Sequence, residues 1–168
     1  MSVSMYQASI PVFIRMLGNL SAILDKGVAS AEARKIDPAV LASARLAPDM
    51  HPLTRQIQIA TDSVKGAAAR LAQIEVPSFP DTETTFPELQ ERVTKTVAFL
   101  KTITEAQVDG SEDRTINLKA GPTELSFSGR DFLFGFALPN FYFHLTTAYA
   151  ILRHNGVDVG KMDFLGRP

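Results

Sequence analysis

The stretch Leu138-Pro139-Asn140-Phe141-Tyr142-Phe143-His144 decides the fold of this chain. It lies inside an apolar run from Asp131 to His154, a length that suits one long helix. Pro139 should kink that helix, because proline lacks the backbone N–H that a helix interior uses. Asn140 and His144 lie four residues apart and therefore share one helix face. We expect this helix to be the most buried of the chain, with two polar side chains that need a partner.

Three further helices are predicted by apolar residues that recur three and four positions apart. They span about residues 4–26, 49–76 and 85–106. Gly27 is placed where the C-cap of the first helix belongs. Asp49 is the expected N-cap of the second, with Pro52 in its first turn. Thr85 and Glu88 have the spacing of a capping box at the start of the third.

Shorter elements are predicted between the long helices. Asp37 and Pro38 look like the cap and first residue of a short helix that runs to about Ser43. Residues 115–119 and 124–128 each alternate polar and apolar side chains, which predicts a small β-hairpin. An isolated hairpin is marginally stable in water, so we expect this one to pack on the helices.

These elements predict an all-α fold, a four-helix bundle with a small β-hairpin before the last helix. At 168 residues the chain fits one domain, which we place at residues 1–168. The tail, 156–166, is expected to be non-helical. Because it is too apolar to extend into water, it should dock on the bundle or on a second subunit.

Composition excludes several classes of function. The absence of cysteine excludes a disulfide framework, a thiolate metal cluster and a cysteine nucleophile. A net charge of -1 and scattered Lys and Arg argue against nucleic-acid binding. Asn140 and His144 dilute the apolar run, so a buried helix is expected rather than a membrane span. The N-terminus lacks the pattern of a secretory signal, and we therefore expect a cytoplasmic protein.

The polar residues of the last helix are the first candidates for chemistry. His144 could act as a base, a proton donor or a ligand, since histidine titrates near neutral pH. The alternative is a neutral, buried imidazole that is hydrogen-bonded inside the core. Thr147 extends the same polar stripe. His51, at the start of the second helix, is a further candidate, and a surface role at the helix start is its alternative.

A metal site is only weakly indicated by the residues themselves. Zinc usually takes three or four His, Cys or carboxylate ligands, and the nearest pattern here is Asn140 with His144. Asp49, Asp62 and Glu88 could complete a site only if the fold brought them close. Each of these carboxylates is better explained by helix capping or by exposure to water.

Three segments, 47–53, 139–149 and 156–166, resemble a bacterial family of domains of unknown function in the DinB/YfiT-like superfamily of four-helix bundles. The resemblance covers essentially the whole chain, and the strings Pro-Asn-Phe-Tyr-Phe-His and Asp-Phe-Leu-Gly carry it. It implies a dimer and, in members with metal, one His from the second helix and a His-x-x-x-His pair from the fourth. Here Asn140 replaces one His of that pair, and His51 stands at the very start of the second helix. Asn is a poor ligand for zinc or nickel beside imidazole.

We therefore expect a cytoplasmic homodimer with a small-molecule pocket around the kinked fourth helix. The expected lining residues are Asn140, His144, Tyr142 and His51. One alternative is a metal-dependent transferase or hydrolase, in which His144, Asn140 and His51 are the candidate ligands of a divalent cofactor. Another is a structural dimer without catalysis. No nucleic-acid or membrane partner is expected.

Overall fold

Helices make up most of the structure, a computed structural model that describes residues 3–120 and 122–166. The helices in chain order are α1 (Ile10–Ala33), α2 (Pro38–Ser43), α3 (Leu53–Leu71), α4 (Phe86–Leu100), α5 (Glu105–Val108), α6 (Gly129–Phe132), a π-helical turn (Leu133–Ala137), α7 (Leu138–His154) and α8 (Lys161–Leu165). A hairpin of β1 (Thr115–Ala120) and β2 (Thr123–Ser128) precedes α6. The long helices α1, α3, α4 and α7 fall where four helices were predicted, with different ends.

Helix α1 continues through Gly27, so the prediction of a C-cap there is wrong. Gly27 is buried where α1 meets α4 and α7. A Cβ atom at this position would lie 3.2 Å from the ring of Phe86 and 3.3 Å from Leu152. The glycine therefore permits close helix packing and does not end the helix. The helix begins at Ile10, six residues after the predicted start, with Pro11 in its first turn.

Helix α3, and not α7, is the most buried helix. Thirteen of its nineteen residues are buried, against seven of seventeen in α7. The small side chains at 66–69 let neighbouring helices approach, and α3 packs against both α7 and α4. Its N-cap is Pro52 and not the predicted Asp49, and it ends at Leu71.

The predicted start of α4 is confirmed. The Glu88 carboxylate accepts hydrogen bonds from the backbone N–H groups of Thr84 and Thr85, at 2.8 and 2.9 Å. These bonds lower the pKa of Glu88 to about 2. The helix ends at Leu100, earlier than predicted, because the chain turns before Thr104 caps the separate helix α5.

The predicted hairpin is confirmed. Ile116 pairs with Phe127 and Leu118 with Leu125, so these four side chains lie on one side. The Phe127 ring packs 5.7 Å from that of Phe136, which places the hairpin on the π-helical turn. Gly121, part of the predicted turn of the hairpin, lies outside the described residues.

The predicted last helix is formed by α6, the π-helical turn and α7. The N–H of Leu138 donates to the carbonyl of Leu133, five residues earlier, and Pro139 follows in the first turn of α7. The wide turn thus accommodates the proline. At the other end Gly156 has φ +82° and closes the helix, because glycine adopts this conformation without strain.

The tail docks on α1 and, against expectation, contains the short helix α8. Asn19 Nδ2 donates to the carbonyl of Phe164 at 3.0 Å, and Lys26 pairs with Asp163 at 2.8 Å. Val157 is fully buried, whereas Met162 stays 62% exposed. In the part of the chain that the structure describes, none of the helices combines the length and hydropathy that crossing a bilayer requires.

Candidate functional site

The polar stripe of α7 faces α3. Asn140 Nδ2 donates to Ser63 Oγ at 2.7 Å, and His144 Nδ1 lies 2.7 Å from Gln56 Oε1. Thr147 is buried and donates to the carbonyl of Phe143, within its own helix. The two unexplained residues of the apolar run therefore form polar contacts between α7 and α3, the helices at the centre of the fold.

The hydrogen bonds of Gln56 define the state of the imidazole. Gln56 Nε2 donates to the backbone carbonyl of His51 at 3.1 Å, and this carbonyl can only accept. Gln56 Oε1 must then face His144, so Nδ1 of the imidazole carries the proton. In this tautomer Nε2 is an acceptor, and no hydrogen-bond donor among the described residues reaches it.

The surroundings of His144 favour its neutral form. Burial lowers the pKa of His144, and the nearby charges of His51 and Arg55 lower it further. The side chain is only 9% exposed, whereas His51 is exposed to solvent. His51 is thus close enough to influence His144 electrostatically, and it contacts Gln56 through its backbone.

Tyr142 lies apart from these groups. It is half-buried, and its ring packs 5.6 Å from that of Phe141. Asn140 borders a cavity between α3, the π-helical turn and β1. Neither Tyr142 nor His144 lines this cavity. The structure therefore brings Asn140, His144 and His51 into one region and leaves Tyr142 outside it.

The cavity that Asn140 borders has a volume of about 340 Å³ and lies between α3, the π-helical turn and β1. Its walls are formed by Arg55, Ile59, Asp62, Ser63, Arg70, Leu118, Lys119, Phe132, Phe136, Ala137 and Asn140. Of the four residues that were predicted to line a pocket, Asn140 is the one that lines this cavity. Its three basic residues, Arg55, Arg70 and Lys119, were not predicted as site residues, although Arg55, Ile59, Ser63 and Arg70 follow helical spacing on one face of α3.

Arg70 is the unusual side chain of this cavity. Its guanidinium folds back over Gly66, where a Cβ atom would lie 2.5 Å from Nη1. It is half-buried, and burial lowers its pKa. In residues 3–120 and 122–166 neither a carboxylate nor a hydrogen-bond acceptor pairs with it. An unpaired cation in a partly buried position is costly, so this group is suited to receive an anion.

The described residues do not fit the metal centre that the resemblance implies. No group of three or more His or carboxylate side chains within them could hold an ion. Asp62 is paired with Lys65 at 2.7 Å and Arg92 at 2.9 Å. Glu88 caps α4. Asp49 is exposed near the start of α3.

Similarity to known proteins agrees with this architecture. Residues 5–165 match the family described as "Domain of unknown function (DUF1993)". The chain is also similar to a crystal structure of a DinB family member protein from Shewanella denitrificans. The two sequences are 43% identical, the TM-score is 0.88, and the match covers 97% of this chain and 92% of that chain. A comparison with curated proteins gave no match.

Proposed function

We propose that this chain, which belongs to the DUF1993 family of domains of unknown function, binds a small organic anion in the cavity beside α3. The observation that carries this proposal is the half-buried guanidinium of Arg70, which pairs with none of the described residues. An acidic ligand would give this group the partner that the described residues do not supply. Charge-assisted hydrogen bonds of guanidinium to carboxylate or phosphate are stronger than neutral ones and often bidentate.

The other charges of the cavity support an anionic ligand. Arg55 and Lys119 also line it, and the one acidic wall residue, Asp62, is already paired with Lys65 and Arg92. Arg55 forms an ion pair with Asp81, and Lys119 lies 3.8 Å from Glu124 on the exposed hairpin. Arg70 is therefore the cation with the most to gain from a ligand.

The remaining walls indicate an apolar part in the ligand. Phe132 and Phe136 stack with ring centroids 6.0 Å apart, and Phe136 lines the cavity beside Leu118. On the α7 side, Asn140 Nδ2 donates to Ser63 Oγ, and none of the described residues donates a hydrogen bond to the amide oxygen of Asn140, which can therefore accept one from a ligand. A carboxylate or phosphate ester with an aromatic or aliphatic body matches these walls.

In this proposal His144 positions α7 against α3 and does not contact the ligand. A metal-dependent transferase or hydrolase is the alternative, supported by the proximity of His51 to His144. It would require a third ligand, which the described carboxylates do not provide. Metal analysis of untagged protein, with and without His144→Ala, tests that alternative.

Calorimetric titration with 3-phenylpropanoate and with phenyl phosphate tests the anion site. We expect saturable binding that weakens about tenfold in Arg70→Gln, the loss of one charge-assisted hydrogen bond. Arg153→Gln is the matched control, because Arg153 is exposed at the end of α7 and outside the cavity. Equal binding by both variants, or no binding by the wild type, would overturn the proposal.

A further inference from the structure

A second and larger cavity, of about 750 Å³, lies between α1, α2 and the start of α4. Its size falls within the range of roughly 300–1,000 Å³ that is common for small-molecule sites. Its wall includes the carboxylates of Asp25, Glu32 and Asp37 and the apolar side chains of Val28, Ala29 and Phe86. Three residues of the wall are acidic and none is basic. The cavity thus has a charge opposite to that of the site beside α3.

In the C-terminal half of α1, acidic side chains face the cavity and basic side chains face away from it. Asp25 and Glu32 face the cavity, seven residues apart on one side of the helix. Two basic side chains of this half of α1 and its C-cap, Lys26 and Arg34, are directed to other partners. Lys26 pairs with Asp163 at 2.8 Å, and Arg34 Nη1 donates to the carbonyl of Asn155 at 2.7 Å. These cations therefore do not neutralise the acidic wall.

The three carboxylates differ in what they already bind. Asp25 accepts a hydrogen bond from Gln90 Nε2 at 2.6 Å, and Asp37 caps α2 by accepting from the N–H of Ala39 at 2.9 Å. The Glu32 carboxylate has neither a hydrogen bond nor an ion pair within residues 3–120 and 122–166. Glu32 is consequently the group that is free to bind a cation.

Apolar side chains form most of the rest of the cavity wall, with Thr84, Thr85 and Gln90 as its neutral polar residues. Val28 and Ala29 lie on the same face of α1 as Glu32, Ala42 contributes from α2, and the Phe86 ring contributes from α4. Ala42 and Phe86 are each only 2% exposed and belong to the core. A ligand that fills this space must bury an apolar body beside its charged group.

We propose that this cavity binds a small organic cation, an ammonium group carried on an apolar body. The ammonium lies at Glu32, and the body packs against Val28, Ala29 and Pro87, which are accessible apolar residues of the wall. Complementary charge selects the cation, and the apolar walls contribute the burial of hydrophobic surface. This site shares no wall residue with the anion site and does not depend on it.

Calorimetric titration with 2-phenylethylammonium, compared with the neutral 2-phenylethanol, tests this site. We expect the ammonium to bind, and Glu32→Gln to weaken it about fivefold, the upper range for an exposed ion pair. Glu91→Gln is the matched control, because Glu91 is exposed on α4 and does not line the cavity. Arg70→Gln should bind the ammonium as the wild type does.

A second variant tests the location independently of charge. Ala29 is exposed on α1 and lines the cavity, and leucine is a good helix former, so Ala29→Leu should fold and fill the space. We expect it to abolish ammonium binding. Binding that is unchanged in Ala29→Leu or in Glu32→Gln, or equal for the ammonium and the alcohol, would overturn the proposal.

Discussion

At the scale of single residues, one hydrogen bond decides the state of His144. Gln56 is 1% exposed, and its amide oxygen depends on the imidazole for its partner. A buried polar group that loses its only partner costs about 1–3 kcal/mol. The same pair that defines the tautomer therefore also contributes to stability.

Replacing His144 by leucine tests this dependence. We expect His144→Leu to lower the free energy of unfolding by about 1–3 kcal/mol, because Gln56 Oε1 is left unpaired. Removing both partners, in His144→Leu with Gln56→Leu, should recover part of the loss. Urea denaturation measures both. If His144→Leu alone were as stable as the wild type, Gln56 would not depend on the imidazole of His144 for a hydrogen bond.

The lowered pKa of His144 predicts a pH dependence. In the unfolded chain this imidazole titrates near its ordinary value of about 6.5, and in the folded chain at lower pH. The unfolded state therefore binds the proton more readily, so this contribution to stability is complete above about pH 6.5 and is lost as the pH falls through the folded pKa.

We expect His144→Gln to lose less stability than the wild type between about pH 7.5 and 5.5. Thr146→Gln, at an exposed position of the same helix that carries no titrating group, is the control and should keep the wild-type slope. Urea denaturation at several pH values measures the slopes. Identical slopes in all three proteins would contradict a shifted pKa for His144.

At the scale of helices, glycine residues in α1 have opposite roles. A Cβ atom added at Gly27 would lie 3.2 Å from the ring of Phe86, whereas one added at Gly18 would meet no other described side chain or element within 4 Å. A leucine at Gly27 must displace the core, while a leucine at Gly18 only gains helix propensity. The two positions therefore form a matched pair within one helix.

We expect Gly27→Leu to destabilise the protein by about 1–3 kcal/mol or more, the usual cost of overpacking. Gly18→Leu should stabilise it by about 0.5–1 kcal/mol. Thermal and urea unfolding of both variants provide the comparison. If Gly27→Leu were as stable as Gly18→Leu, α1 would not pack closely on α4 and α7 at this point.

Gly27 shows how far the helices and their ends could be predicted from the sequence. Local signals placed the caps at Asp37 and Thr85 correctly, because capping depends on a few neighbouring residues. Gly27 looked like a helix end, since a glycine needed for close packing and a glycine at a C-cap are indistinguishable locally. The π-helical turn before Pro139 was not predicted either, although the interruption of the helix was.

At the scale of the whole molecule, the mostly helical fold with its hairpin could be predicted, but the candidate sites could not. Asn140 was singled out because a polar residue in an apolar helix is conspicuous. Arg70 was not, because an arginine on a helix normally faces water. Only the packing of β1 and the π-helical turn beside α3 encloses it. The acidic cavity likewise depends on α2 folding over α1.

The predicted homodimer stays a prediction. Phe134 and Phe143 are 52% and 56% exposed on the last helical segment, where a second subunit could cover them. If they form the contact, Phe134→Ser with Phe143→Ser should convert a dimer to a monomer in sedimentation analysis. The variant with Thr94→Ala, an exposed position on α4, is the control. A wild-type monomer would contradict the prediction.

The central claim is that Arg70 receives an anionic ligand, and its guanidinium can be observed directly by NMR. The Nε–H signal of Arg70, identified by its absence in Arg70→Lys, should shift progressively and saturably as phenyl phosphate is added. The signal of Arg153 should remain unchanged over the same range. A stationary Arg70 signal at concentrations that perturb other parts of the spectrum would contradict the account.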